Sequence, residues 1–352
     1  MMKRQRLTYI DIANIIAILG VLFQHTAVIS HFGNPHAKTT IAASLIQIIF
    51  LPAVGIFFMN SGATLINYRQ RYGTEHFFKK RFVRVLVPFL IWSLFFYFYG
   101  LYFNGFGVVR HTSLGFFDFI SAFINDKIIT IFWFFYVIIQ LYLFTPVLSF
   151  LSENGKKILF YVVCVSFICW NVFDYIDGIS HIHLHESMIY QPLLSSSWIQ
   201  YFIMGYLIKE NFFAKKQENM LIWFGVIIFA LNILNEITIH HYVFLHNINV
   251  FPYAVAIYLL IKRVSAKVQK VSLQIYAAKL ASTSLGIYVL HPIVIPLFDN
   301  LLFNHSLFGN SNSIYILTNP IHILVLPFII YVFLVIFILA LKKTKLFGFI
   351  LP

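Results

Sequence analysis

Residues 8–30 read TYIDIANIIAILGVLFQHTAVIS, an apolar run with one acid, Asp11, near its start and one imidazole, His25, near its end. As a helix rising about 1.5 Å per residue it would span roughly 34 Å, enough to cross a hydrocarbon core of about 30 Å. A secretory signal starts in a similar way, but Asp11 sits inside the run and no small-residue cleavage site follows. The stretch therefore reads as a retained first span. Comparable runs recur near residues 42–67, 82–103, 131–151, 157–174, 194–209, 219–238, 249–263, 281–303 and 317–341. The composition agrees, being 60% hydrophobic and 11% charged where soluble domains carry roughly a quarter charged residues. The expected architecture is all-α: a polytopic membrane bundle of about ten helices forming one domain over residues 1–352.

The net charge of +13 would suggest nucleic acid in a soluble protein, so its distribution decides what it means. If the first span leaves the cytoplasm, all but Lys38, Arg110 and Lys127 of the 25 Lys and Arg residues fall in cytoplasmic segments. This is the positive-inside pattern, and it predicts both termini in the cytoplasm. The cations are shared among short juxtamembrane loops that would lie against anionic lipid headgroups, so no nucleic-acid partner is expected. Cys164 and Cys169 share one apolar run and imply no disulfide framework. The external segments, residues 104–130 and 174–193, are too short for a separate domain. One of them contains His181, His183 and His185, which reads as a solvated loop, and no metal site is expected.

Ionisable and amide groups inside spans are costly and point to function. His25 lies about 20 Å beyond Asp11, in the outer third of the membrane, where a neutral imidazole suits general-base work near pH 7. The second span carries Gly55-Ile56-Phe57-Phe58-Met59-Asn60-Ser61-Gly62, small and hydrogen-bonding residues that suit either ligand lining or close helix packing. Arg81 and Arg84, three apart before Pro88, are expected on one helix face, an arrangement that suits a phosphate-rich ligand. Trp133 opens an aromatic cluster at the outer interface, where sugar stacking and a plain aromatic belt are both open readings. The ninth span places Tyr288 and His291 on one face, and His291 precedes Pro292 near mid-membrane, as a cavity-lining residue would.

In order and spacing these residues resemble the acyltransferase-3 family of membrane acyltransferases, which includes O-acetyltransferases of bacterial surface polysaccharides. The resemblance rests on the Asp11 to His25 span, Phe57 to Gly62, Arg81-Phe82-Val83-Arg84, Trp133-Phe134 and the Ser284 to Pro292 segment. It covers nearly the whole chain. Eleven positions before His25, where the family carries an arginine, this chain has Asn14, which hydrogen-bonds but carries no charge.

The resemblance implies transfer of an acetyl or related acyl group from cytoplasmic acyl-CoA, as co-substrate and not a resident cofactor, to a hydroxyl of a glycan. His25 would be the catalytic base. Arg81 and Arg84 would hold the phosphates, with the arm passing Asn60 and Ser61. Tyr288, His291 or Asn60 would meet the oxyanion, and Trp133 and Asn14 would contact substrate. The expected setting is a bacterial plasma membrane, with the oligomeric state open. A transporter or flippase of a glycan or small polar solute is the competing expectation, since the same buried polar residues could bind cargo without reacting.

Overall fold

The computed structural model describes residues 7–103, 106–172, 198–239, 250–268, 270–303 and 314–351. Among these the chain is helical apart from turns, short 3-10 and π segments and an isolated antiparallel bridge between Val108 and Ile129. Seven segments are long and apolar enough to cross a bilayer: Thr8–Thr26, Lys38–Gln70, Thr74–Tyr102, Thr130–Glu153, Lys215–Thr238, Ser284–Phe303 and Ile321–Leu341. This makes the chain a multi-pass membrane protein. The three remaining expected spans fall on helices that are shorter within the described residues: Lys156–Phe167, Trp198–Lys209 and Val250–Ser265. The His181 to His185 run and the basic residues Lys3, Arg4 and Arg6 lie outside the described residues.

The first helix, α1 (Thr8–Thr26), is central. It packs against α2 (Lys38–Phe50), α3 (Pro52–Leu65) and four helices of the C-terminal half. Ala13, Ala17 and Gly20 on α1 allow that crowding, because small side chains let helix backbones approach closely. The last long helix, Leu326–Leu341, shows the opposite economy. Its Ile330, Leu334 and Ile338 are fully buried, while Phe328, Val332 and Ile336 are each at least half exposed. An apolar residue every fourth position on both faces is stable only where lipid covers the outer one.

The closest interlock is between α3 and the helix Trp198–Lys209. A Cβ on Gly62 would lie 1.6 Å from the Phe202 carbonyl oxygen, and one on Gly205 would lie 2.0 Å from that of Met59. The two glycines thus let each backbone into the other's groove, and this sets the depth of Asn60 and Ser61.

Proline accounts for a second local feature. Pro88 lacks an N–H and its ring crowds the preceding turn, and the turn before it, Phe82–Leu86, widens into a π segment. Pro327 follows a π segment at Ile321–Val325 in the same way. The i→i+5 spacing rotates residues three apart away from each other. Arg81 consequently turns half inward while Arg84 is exposed, which corrects the expectation that the two share a face.

Candidate active site

A cavity of about 330 Å³ lies between α1, α3, the helix Trp133–Asn154 and the helix Ser284–Phe303. Thr64, Tyr142 and Ser282 line its inner end, at the Lys- and Arg-rich end of the bundle, and Phe57, Phe134 and Tyr288 line its far end. Along α3 this is a run of about 10 Å. Of the residues singled out from sequence, Asn14, Asn60, Ser61 and Tyr288 line it.

Asn60 is held on every side. Its Nδ2 donates to Asn14 Oδ1 at 2.9 Å and to the Ile10 carbonyl at 3.3 Å, and its Oδ1 accepts from the Tyr258 hydroxyl at 2.8 Å. Both amide hydrogens are therefore committed, so Asn60 fixes Asn14 and has none left for an oxyanion. Asn14, whose carbonyl oxygen accepts from Asn60, is itself a wall residue of the cavity. Ser284, which opens one of the motifs but had no expected role, is a further wall residue. Its hydroxyl is enclosed and makes no hydrogen bond.

Two histidines stand beyond the far end, outside the cavity lining. The Tyr288 ring lies 6.0 Å from that of His291, and the His291 ring stacks on His25 with centroids 4.8 Å apart. His291 is fully buried and His25 half-buried. His291 Nδ1 lies 3.2 Å from the Ile287 carbonyl oxygen. A carbonyl only accepts, so Nδ1 carries the proton and Nε2, enclosed and without a partner, is an acceptor. In that tautomer His291 does not donate to an oxyanion from Nε2, which corrects the role expected for it. The Tyr288 hydroxyl donates to the Ile131 carbonyl, which ties the site to the outer segment before Trp133.

His25 is set by a residue that sequence reasoning missed. Gln47, buried on α2, donates from Nε2 to the Gln24 carbonyl at 2.7 Å and reaches that of Ala27 at 3.4 Å. These carbonyls flank His25 where α1 ends and leaves its last carbonyls without helix partners. Gln47 thereby fixes the backbone on both sides of the imidazole. The Phe106 ring meets His25 edge-on at 5.0 Å, so the outer segment covers one side of the site. A buried Gln in an apolar span was the available signal.

The other expected site residues stand apart from the cavity. Arg84 is exposed. Arg81 sits behind the wall, its guanidinium carbon 5.7 Å from the ring centroid of Tyr142, and Tyr142 also faces Ser61. Trp133 packs against Trp198, with centroids 5.2 Å apart and the rings tilted by 33°, and does not line the cavity.

The family model described as an acyltransferase domain matches residues 7–341. No curated protein and no solved structure matches the chain. A match over nearly the whole length of a multi-pass membrane bundle means that the chain belongs to the acyltransferase-3 family and is a membrane acyltransferase.

Proposed function

We propose that the protein moves an acetyl or related acyl group from cytoplasmic acyl-CoA to a hydroxyl of a cell-surface or lipid-linked glycan, in a bacterial plasma membrane with the Lys- and Arg-rich end of the bundle facing the cytoplasm. The observation that carries this reading is the cavity, which runs from the basic end to Tyr288, whose ring lies 6.0 Å from that of His291 in the His291–His25 stack. A long, flexible thioester arm has the shape for that path, and Asn14 and Ser61 on its wall offer hydrogen bonds to its amide groups.

His25 is the base, because it is the less buried of the two imidazoles and the one that an acceptor from outside can reach. Its free nitrogen takes the proton of the acceptor hydroxyl as that oxygen attacks the thioester carbon. The tetrahedral intermediate collapses by breaking the carbon–sulfur bond, the ester remains on the acceptor, and the imidazolium returns its proton to the departing thiolate. Tyr288 supplies the donor at this end by turning its hydroxyl from the Ile131 carbonyl to the oxyanion as charge develops there. Direct transfer needs no acyl-enzyme. Ser61 lines the inner part of the cavity, several turns from His25, and takes no part in bond making.

The test is transfer of radiolabelled acetyl from acetyl-CoA to glycan in membranes containing wild type or His25→Ala at matched expression. Transfer by wild type and its loss in the variant support the reading. No transfer by wild type with several acyl-CoAs and several glycans would overturn the choice of donor and acceptor.

A further inference from the structure

The two ends of the cavity differ in chemistry. Toward the basic end its wall carries the hydroxyl groups of Ser61, Thr64, Tyr142 and Ser282, whereas the far end is made of the rings of Phe57, Phe134 and Tyr288. Among the described residues no Lys, Arg, Asp, Glu or His lines it. Phe134 is the centre of the aromatic end. Its ring centroid lies 5.2 Å from that of Tyr288, 6.2 Å from Phe57 and 5.0 Å from Phe58. Behind Phe58 stands Trp198, at 5.0 Å.

Tyr288 closes the end. One side of its ring lines the cavity, it packs against Phe135 and His291 at 6.0 Å each, and its hydroxyl is tied to the Ile131 carbonyl. Phe58, Phe135 and Tyr288 are buried, while Phe57 and Phe134 are only partly so. An acyl donor entering from the basic end brings its acyl group foremost, so that group meets these rings before the thioester carbon comes near the histidines. A methyl or short alkyl group leaves water and gains dispersion contact there. A carboxylate on the acyl chain would lose its hydration with no cation on the wall to replace it, which is costly. A longer chain is stopped by Phe134, which fills the space in front of Phe58.

We propose that Phe57, Phe134 and Tyr288 form an acyl-group pocket that admits a short, uncharged acyl group such as acetyl and rejects longer chains and dicarboxylic acyl groups such as succinyl. Phe134 sets the length limit, because it is the ring that stands between the cavity and Phe58. This rests on the acyl-CoA reading above and narrows its donor.

The test is kcat/KM for transfer from acetyl-, butyryl-, hexanoyl- and succinyl-CoA to glycan by the full chain in membranes. Wild type is compared with Phe134→Ala, Phe134→Leu, Phe134→Trp and Leu143→Ala. Leu143 lies on the same helix as Phe134 and is 65% exposed on the bundle surface, so its variant keeps the wild-type pattern. Wild type is expected to favour acetyl over butyryl and over succinyl by about tenfold or more. Phe134→Ala is expected to lower the acetyl to butyryl ratio about tenfold and to leave succinyl rejected, since the space it opens ends on Phe58 and not on a cation. Phe134→Trp moves the butyryl ratio the other way. Each readout is a ratio between donors in one preparation, so a partial loss of folded protein does not change it, and Phe134→Leu, the milder truncation, carries the test if the Ala variant does not fold. Ratios in the truncated variants equal to wild type would overturn the role of Phe134. Wild type that uses butyryl- or succinyl-CoA as well as acetyl-CoA would overturn the pocket and leave the donor reading standing. Wild type that transfers from none of the four overturns the acyl-CoA reading, and the pocket with it.

Discussion

The imidazole of His25 stacks on that of His291 at 4.8 Å between centroids, with the ring planes 29° apart. The half-buried ring belongs to α1 and the fully buried one to a different helix. Removing the first removes the base, so His25→Ala is expected to lower kcat about 100-fold or more. His291→Phe keeps a flat ring for His25 to stack on and removes the Nε2 acceptor. It is expected to lower kcat about tenfold with the acyl-CoA KM unchanged. A change confined to KM would reduce His291 to a wall residue.

Gln47 does not reach the cavity, so its effect on activity must pass through His25. Replacing it by Leu frees the Gln24 and Ala27 carbonyls and lets the end of α1 shift. Steady-state kinetics should show kcat reduced about tenfold with little change in the acyl-CoA KM, because a small displacement of a reacting group is costly. An equal fall in folded protein and in total activity would assign Gln47 to stability alone.

The two arginines before Pro88 should behave differently despite their spacing. Arg84→Gln is exposed on the bundle and is expected to leave transfer within about twofold. Arg81→Gln removes the cation from behind the wall residue Tyr142 and is expected to raise the acyl-CoA KM a few-fold by loosening that wall, since a cation–π contact contributes about 0.5–2 kcal/mol. Matched losses in both variants would contradict the outward rotation of Arg84 at the π segment.

Gly62→Ala would drive a methyl into the Phe202 carbonyl. Overpacking commonly costs about 1–3 kcal/mol, and here the obstacle is backbone, which cannot rotate away. A lowered thermal midpoint in detergent is expected, with Ser61→Ala as a neighbouring substitution that shows little change. A midpoint for Gly62→Ala equal to wild type would mean that the two helices separate more easily than their interlock implies.

Asp126, in the outer segment, adopts a positive φ of 52° and has an enclosed Oδ1 without a hydrogen-bond partner. Burial pushes its carboxyl from 3.8 up to about 6. The folded state therefore holds the proton more tightly than the unfolded one, and stability attributable to this group falls as pH rises from about 4 through about 6. Asp126→Asn, which tolerates the left-handed backbone, is expected to raise the thermal midpoint at pH 7.5 and to leave it unchanged at pH 4. The side chain is partly solvated, so the gain is below about 1 kcal/mol. The same shift at both pH values would show that ionisation is not its cause.

The membrane bundle was readable from the chain because apolar runs long enough to cross a bilayer are a local property, and a hydrocarbon solvent forces each of them to satisfy its own backbone as helix. His25, Asn60, Ser61 and Tyr288 could be singled out in the same way, since polar groups in such runs stand out one by one, whereas Asn14 was named only through the family resemblance. The pairing of these groups was not readable. The His25–His291 stack joins residues 266 positions apart, and no periodicity carries that information. The divergence of Arg81 and Arg84 depends on how one turn widens before Pro88, the commitment of Asn60 on a tyrosine from a distant helix, and the anchoring of His25 on a glutamine across the bundle. Hydropathy determined which residues enter the membrane. Close packing around the central helix decided which of them meet, because side-chain contacts between helices are set by depth and rotation and not by sequence spacing.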